Sequence, residues 1–167
     1  MSRLRRFVSA ITFIGVVFHE FGHKLFCDLT GVKVHRACYY RLGNPAGYII
    51  HERPEKFVQS LLVTVGPLIT GTGFGLLFFY ISKFQVAEKW QEMLFVWLGF
   101  SVAINAFPSN TDAKNLWKNT NRQVSRNLYA IVGYPFALII WLANALHVVW
   151  FDMFYAILLY NLVLPMW

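Results

Sequence analysis

Between Phe7 and Phe26 the chain carries an apolar run of the length that a bilayer crossing requires, about 20 residues, and His19-Glu20-Phe21-Gly22-His23 interrupts it. Ionisable side chains inside such a run are costly to bury, so a helix that keeps them must turn them toward partners or a polar cavity. On a helix, positions 19 and 23 fall one turn apart on one face, with Glu20 beside them. This pentapeptide therefore demands that its helix pack inside a bundle, with one polar stripe facing inward.

The rest of the chain supplies partners for such a helix. With 57% hydrophobic, 18% aromatic and 14% charged residues over 167 positions, the chain is too apolar for an ordinary soluble domain. Apolar segments at 7–26, 57–82, 91–107, 128–146 and 148–165 predict an all-α polytopic membrane protein of about five transmembrane helices, forming a single domain over 1–167. The last two segments are expected to fold back as a tight helical hairpin at the polar positions Asn144, His147 and Asp152. Pro135 is tolerable inside a span because neighbouring helices satisfy the freed carbonyl. The start, Met-Ser-Arg-Leu-Arg-Arg, imitates a signal peptide, but its apolar run continues into His19 with no small-residue cleavage site, which predicts an uncleaved first span.

Region 31–52 breaks the helical pattern. Val32, Val34, Tyr39, Tyr40, Tyr48, Ile49 and Ile50 flank the turn residues Gly43-Asn44-Pro45-Ala46-Gly47, which predicts a small membrane-associated β-hairpin between the first and second helices. The formal charge of +7 sits in connections and at the N-terminus, so lipid headgroups, not nucleic acid, are the expected partners. Ten of the 15 Lys and Arg fall on the side holding 24–56 and 114–126, and five on the side holding the N-terminus and 83–90. The first side is therefore predicted to be cytoplasmic. Cys27 and Cys38 have no C-x-x-C spacing and read as free thiols.

An H-E-x-x-H unit on a helix offers two imidazole ligands for zinc and a glutamate placed as a general base. A catalytic zinc site adds a third protein ligand and leaves the fourth position to water. The third segment runs in the same direction as the first, and its cytoplasmic end leads through Asn105 and Pro108 to Asp112, the expected third ligand. The competing reading makes Asp112 the cap of a helix starting at Ala113. His147 and Asp152 are expected at the opposite membrane face, as a polar turn. His35 and His51 fall in the loop, and Cys27, on the same helical row as His19 and His23, is expected to pack the helix end. With Zn²⁺ bound, the pKa of its water would drop toward about 7, and Glu20 would take the proton as that water attacks an amide carbonyl. An edge strand of region 32–51 would hold an unwound substrate in extended form.

The order of these elements resembles that of site-2-protease-type intramembrane metalloproteases. The residues that carry the resemblance are His19-Glu20-Phe21-Gly22-His23, then Gly66-Pro67, then Asn105 with Pro108 leading to Asp112, and more weakly Gly31-Val-Lys-Val34 and Gly47-Tyr48. It implies Zn²⁺ held by His19, His23 and Asp112, Glu20 as catalytic base, Asn105 as a substrate-binding residue, and cleavage near the cytoplasmic face. The implied activity is zinc-dependent hydrolysis of a peptide bond within or near a transmembrane segment of a membrane-protein substrate. The chain departs from the pattern at Ala113, where the family commonly has Gly, and between Pro108 and Asp112; a minimal, divergent member is implied. Two other readings compete: a catalytically inactive pseudoprotease or assembly subunit that binds transmembrane helices, and a His-box lipid hydroxylase. The 5 histidines are too few for the hydroxylase's di-iron site.

Overall fold

The computed structural model describes residues 10–43 and 45–163. The N-terminal arginines, residues 7–9 of the first expected span, Asn44, and residues 164–165 of the last expected span lie outside the described residues. The chain is mostly helical, with one small antiparallel sheet. Helix α1 (Phe13–Thr30) leads to strands β1 (Val34–Cys38) and β2 (Tyr48–His51). Helices α2 (Phe57–Phe84), α3 (Lys89–Ile104) and α4 (Asn110–Gln123) follow. A 3-10 turn over Leu128–Val132 enters α5 (Gly133–Leu146), and a second one over His147–Val149 precedes α6 (Phe151–Val163).

Helix α1 ends at Gly31, whose φ of 73° is left-handed and open to glycine at little steric cost. The amides of Gly31 and Val32 return to the carbonyls of Asp28 and Cys27, which closes the last turn and redirects the chain. The two strands pair antiparallel from Val34 with His51 to Cys38 with Tyr48, with an irregularity between Val34 and Arg36. The predicted hairpin is thus present, and an Arg41 N–H donor to the Ala46 carbonyl closes its loop.

Small residues set how the helices meet. A Cβ on Gly22 would lie 2.7 Å from Pro67 Cα, and one on Gly66 would lie 2.8 Å from the Gly22 carbonyl oxygen. The backbones of α1 and α2 therefore touch at this crossing, an approach that side chains would prevent. Helix α3 packs antiparallel to α2, with Ala106 against Gly71 and Phe79 against Gly99, and it runs parallel to α1, with Ser101 against Gly15.

Beyond α3 the chain departs from the expected topology. Segment 114–126, predicted as a connection, belongs mostly to α4, which carries on in the direction of α1. It starts beside His23 and reaches the Pro54 carbonyl through Asn119, at 3.5 Å. Helix α5 begins next to it, with Gly133 against Thr120 and Phe57, and returns until Asn144 donates to the Pro108 carbonyl at 2.9 Å. Helix α6 then continues the same way along α2: Tyr155 bonds to Thr72, and the Tyr160 ring lies 5.2 Å from that of Phe79.

The predicted hairpin between 128–146 and 148–165 is therefore corrected. Both segments run parallel to α2 and form one interrupted column. The polar residues near 147 do mark a break, but the 3-10 segment and Trp150, at φ 63°, interrupt the helical ladder without reversing the chain. Four columns result (α1, α2, α3 with α4, and α5 with α6), and the last two are broken at one depth. Apolar clusters sit on either side of that depth. One joins Phe57, Ala113, Leu116, Ala137 and Ile140, and the other joins Phe79, Ala103, Ala156, Leu159 and Val163. Two helical stretches, Phe57–Phe84 and Leu128–Val149, are long and apolar enough to cross a membrane.

The helix crossing generates a paired prediction. Gly22→Val forces a side chain into Pro67 and should cost about 3 kcal/mol or more, since the obstacle is backbone. Gly73→Ala, where a Cβ meets nothing within 4 Å, should leave stability unchanged or raise it by up to about 1 kcal/mol. Thermal unfolding of the two variants in detergent checks both signs.

Candidate metal centre

His19, His23 and Asp112 offer ligand atoms that all lie within 4.8 Å of one another. His23 Nε2 is 3.5 Å from Asp112 Oδ2, and the two imidazole centroids are 5.0 Å apart. Ligands about 2.1 Å from a tetrahedral zinc are about 3.4 Å from each other. The His23–Asp112 pair already has that spacing, and two imidazoles with one carboxylate are a donor set typical of catalytic zinc, so the residues fit the ion.

Each histidine is aimed by a backbone carbonyl. His23 Nδ1 lies 2.9 Å from the Val63 oxygen, and His19 Nδ1 lies 2.8 Å from the Asn105 oxygen. A carbonyl accepts only from N–H, so both rings carry the proton on Nδ1 and direct the Nε2 lone pair toward the shared centre.

Both carbonyls are available for a local reason. In a helix the amide of residue 67 would donate to the carbonyl of residue 63, but Pro67 has no N–H. His23 supplies the donor that the helix lacks. Helix α3 ends at Ile104, and carbonyls at a helix C-terminus have no intrahelical partner. His19 supplies a donor to Asn105 there.

Asp112 occupies the third position of α4, behind the cap Ser109. Its Oδ2 accepts from the Ser109 amide at 2.7 Å and from the Ser109 hydroxyl at 2.6 Å, and the Asp112 amide donates back to Ser109 Oγ at 3.3 Å. The two readings of Asp112 are thus compatible: it belongs to a capping box, and the same carboxylate faces the histidines. The cap is Ser109, not Asp112.

Glu20 is buried at 8% exposure beneath the hairpin loop. A Cβ on Gly47 would lie 2.6 Å from Glu20 Cγ and 3.1 Å from Oε1. Asn105, expected to contact substrate, uses its side-chain amide to donate to the Ser101 carbonyl at 2.9 Å and to Thr12 at 3.3 Å. The structure gives it a share in holding His19. Cys27 packs in an apolar cluster with Val32 and Val63, as expected. His35 pairs with Glu52 at 3.4 Å on the surface.

Cavities flank the centre on both sides. One of ≈ 320 Å³ is bordered by His19, Glu20, Ala46, Asn144, His147 and Asp152. The other, ≈ 440 Å³, is bordered by His23, Asp112, His51, Arg53, Lys118 and Arg122. His147 and Asp152 are therefore misplaced by the sequence reading. Because α4 leads the chain away before α5 brings it back, the polar break arrives at the depth of His19 and Glu20 and not at the far face. Ser109 and the Val63 carbonyl also escaped notice; the signals were the serine three residues before Asp112 and the proline four residues after Val63.

No family model, no curated protein and no solved structure matches this chain.

Since Pro67 exposes the carbonyl that holds His23, Pro67→Ala restores the helical amide as a competitor for it. Affinity for Zn²⁺ should fall about tenfold, while the thermal midpoint of the metal-free protein does not fall. Chelator competition and thermal unfolding separate the two effects.

Proposed function

We propose that this chain is a multi-pass membrane protein and a zinc metallopeptidase of the site-2-protease type, hydrolysing a peptide bond within or near a transmembrane segment of its substrate. The observation that carries the reading is the convergence of both histidines of the H-E-x-x-H unit with Asp112, each imidazole locked in the tautomer that binds metal. The membrane assignment rests on the two long apolar helices and on outward apolar side chains of α5 such as Leu138, Ile139 and Leu142, which are more than half exposed. In this proposal α1, α2, α3 and the α5–α6 column cross the bilayer. Helix α4 and the hairpin lie toward the cytoplasmic face, the side that holds most of the Lys and Arg.

His19, His23 and Asp112 would hold the zinc. When bound, the ion would polarise the scissile carbonyl and acidify the attacking water. Glu20 removes a proton from that water as its oxygen adds to the carbonyl carbon, then delivers it to the nitrogen as the C–N bond breaks. Glu20, at 8% exposure, borders the ≈ 320 Å³ cavity, and its burial strengthens charge interactions there. A substrate helix must be opened before its amide reaches this depth, and the exposed edge of β1 provides a template for an extended strand.

Detergent-purified protein should contain about one zinc per chain, and His23→Ala and Asp112→Ala should each lose it. Glu20→Gln should keep the metal and lower hydrolysis of a quenched fluorescent transmembrane peptide by about 10² or more. Absence of zinc from carefully prepared wild type would make the non-catalytic helix-binding reading the better one. Loss of zinc in Glu20→Gln would make Glu20 a ligand and not a base.

A further inference from the structure

The ≈ 440 Å³ cavity beside His23 and Asp112 has a basic wall to which the hydrolysis above gives no task. We infer that this wall is a subsite for carboxylate side chains on the cytoplasmic flank of the substrate's transmembrane segment, about three residues from the scissile bond. The inference rests on the peptidase reading above and adds a charge preference to it.

The cavity follows one face of α4. Asp112, Asn115, Asn119 and Arg122 are spaced by three and four residues, so they form one polar row on the helix, and all four border the cavity. The other face, with Ala113 and Leu116, packs into the cluster with Phe57 and Ala137. The row thus leads away from a metal-ligand candidate. From Asp112 to Asn119 it covers about 10 Å of helix, a distance that an extended peptide spans in about three residues. A substrate whose amide lies at the metal centre and whose flank follows α4 brings its third neighbour to the level of Asn119.

Three cations gather at that level. Lys118 and Arg122 flank Asn119 along α4 and border the cavity with it. Arg53 joins them from the segment after the hairpin, where the carbonyl of the next residue, Pro54, accepts from Asn119 at 3.5 Å. All three side chains belong to exposed residues. Among the described residues, none of the three takes part in an ion pair or a side-chain hydrogen bond. Nearby carboxylates do not neutralise them. Asp112 is turned to His23 and Ser109, and Glu52 pairs with Lys33 and His35. Glu55 borders an adjoining cavity, in which Lys56 and Arg126 add to Arg53 and Arg122.

A cleft lined by charge of one sign concentrates the opposite sign, and a carboxylate there meets guanidinium donors suited to bidentate bonding. Cytoplasmic flanks of transmembrane segments ordinarily carry Lys and Arg, which these three cations repel. The cluster therefore discriminates by repulsion as well as by attraction. A phospholipid headgroup offers the same negative charge, but its acyl chains need an apolar bed. Of the residues lining this cavity, only Pro54 and Val63 are apolar, which favours a peptide flank.

The test uses the full chain in detergent, with Glu20→Gln to prevent turnover, and three labelled peptides. Each peptide holds the same transmembrane segment of leucine and alanine, and its flank carries two glutamates, two glutamines or two lysines. Fluorescence anisotropy gives the affinities, beside zinc content and thermal midpoint. The glutamate peptide should bind about tenfold more tightly than the glutamine peptide, the combined effect of a few exposed ion pairs, and the lysine peptide more weakly than either. Arg53→Gln, Lys118→Gln and Arg122→Gln combined should remove the preference while zinc and midpoint stay unchanged, and Lys118→Glu with Arg122→Glu should reverse it. Equal affinity for the glutamate and lysine peptides, or binding of neither, overturns the proposal, as does a preference that persists in the triple variant. Retention of phosphatidylglycerol by the parent protein and not by the triple variant, with no discrimination among the peptides, overturns it in favour of a lipid headgroup. Wild type that contains no zinc, beside a protein that still discriminates the flanks, sinks the peptidase reading and leaves the charge preference standing.

Discussion

The contact on which the rest depends is the backbone crossing of α1 and α2 at Gly22, Gly66 and Pro67. The absence of a side chain at Gly22 lets α1 approach α2 closely enough for its neighbour His23 to reach the Val63 carbonyl, and Pro67 is the reason that carbonyl needs a donor. A proline inside a helix is ordinarily a defect that removes one hydrogen bond. Here the missing bond is replaced by one from a metal-ligand candidate, so helix satisfaction and ligand orientation become the same interaction. A shift of the crossing by one turn would leave a buried carbonyl without a partner and an imidazole without a fixed tautomer.

The same economy recurs at the other two ligand positions. His19 takes the carbonyl at the end of α3, and Asp112 completes the cap at the start of α4. In each case a polar backbone group that an apolar bundle must satisfy somewhere is satisfied by a side chain of the centre or by its direct support. This explains why two columns break at the same depth. A continuous helix exposes no backbone donors or acceptors at its waist, whereas a break does, and the breaks after Ile104 and at His147 both face the cavity beside His19 and Glu20.

The sequence made the helices, the β-hairpin and the three clustered side chains legible, because apolar run length, turn residues and the His-Glu-x-x-His spacing are local signals. Asp112 was reached by a directional argument: parallel helices bring their corresponding ends to one side. The path after Pro108 was not legible. Residues 110–123 are polar enough to read as a connection, and their helical nature depends on Ala113, Leu116 and Thr120 packing against Phe57 and α5, which only the tertiary fold reveals. Once that segment was read as a loop, the polar residues at 144–152 had no role except as a hairpin turn. The error at one polar helix thus moved His147 and Asp152 to the wrong end of the molecule.

Asp112 shows why capping and ligation need not compete. A carboxylate has about four lone-pair positions; Ser109 donates twice to Oδ2, the oxygen that lies 3.5 Å from His23 Nε2, so a cation there shares Oδ2 or takes the positions on Oδ1. The capping bonds fix the carboxylate plane before any cation arrives, so little side-chain freedom remains to be lost on binding. The capping box also satisfies the amides of Ser109 and Asp112, and Ala113, with 0% exposure, sits in the cluster with Phe57 and Ala137 where a larger side chain would push α4 away from α5. The helix start is therefore held from two sides, by the Ser109 cap and by Ala113 packing, and both fix the distance between Asp112 and His23.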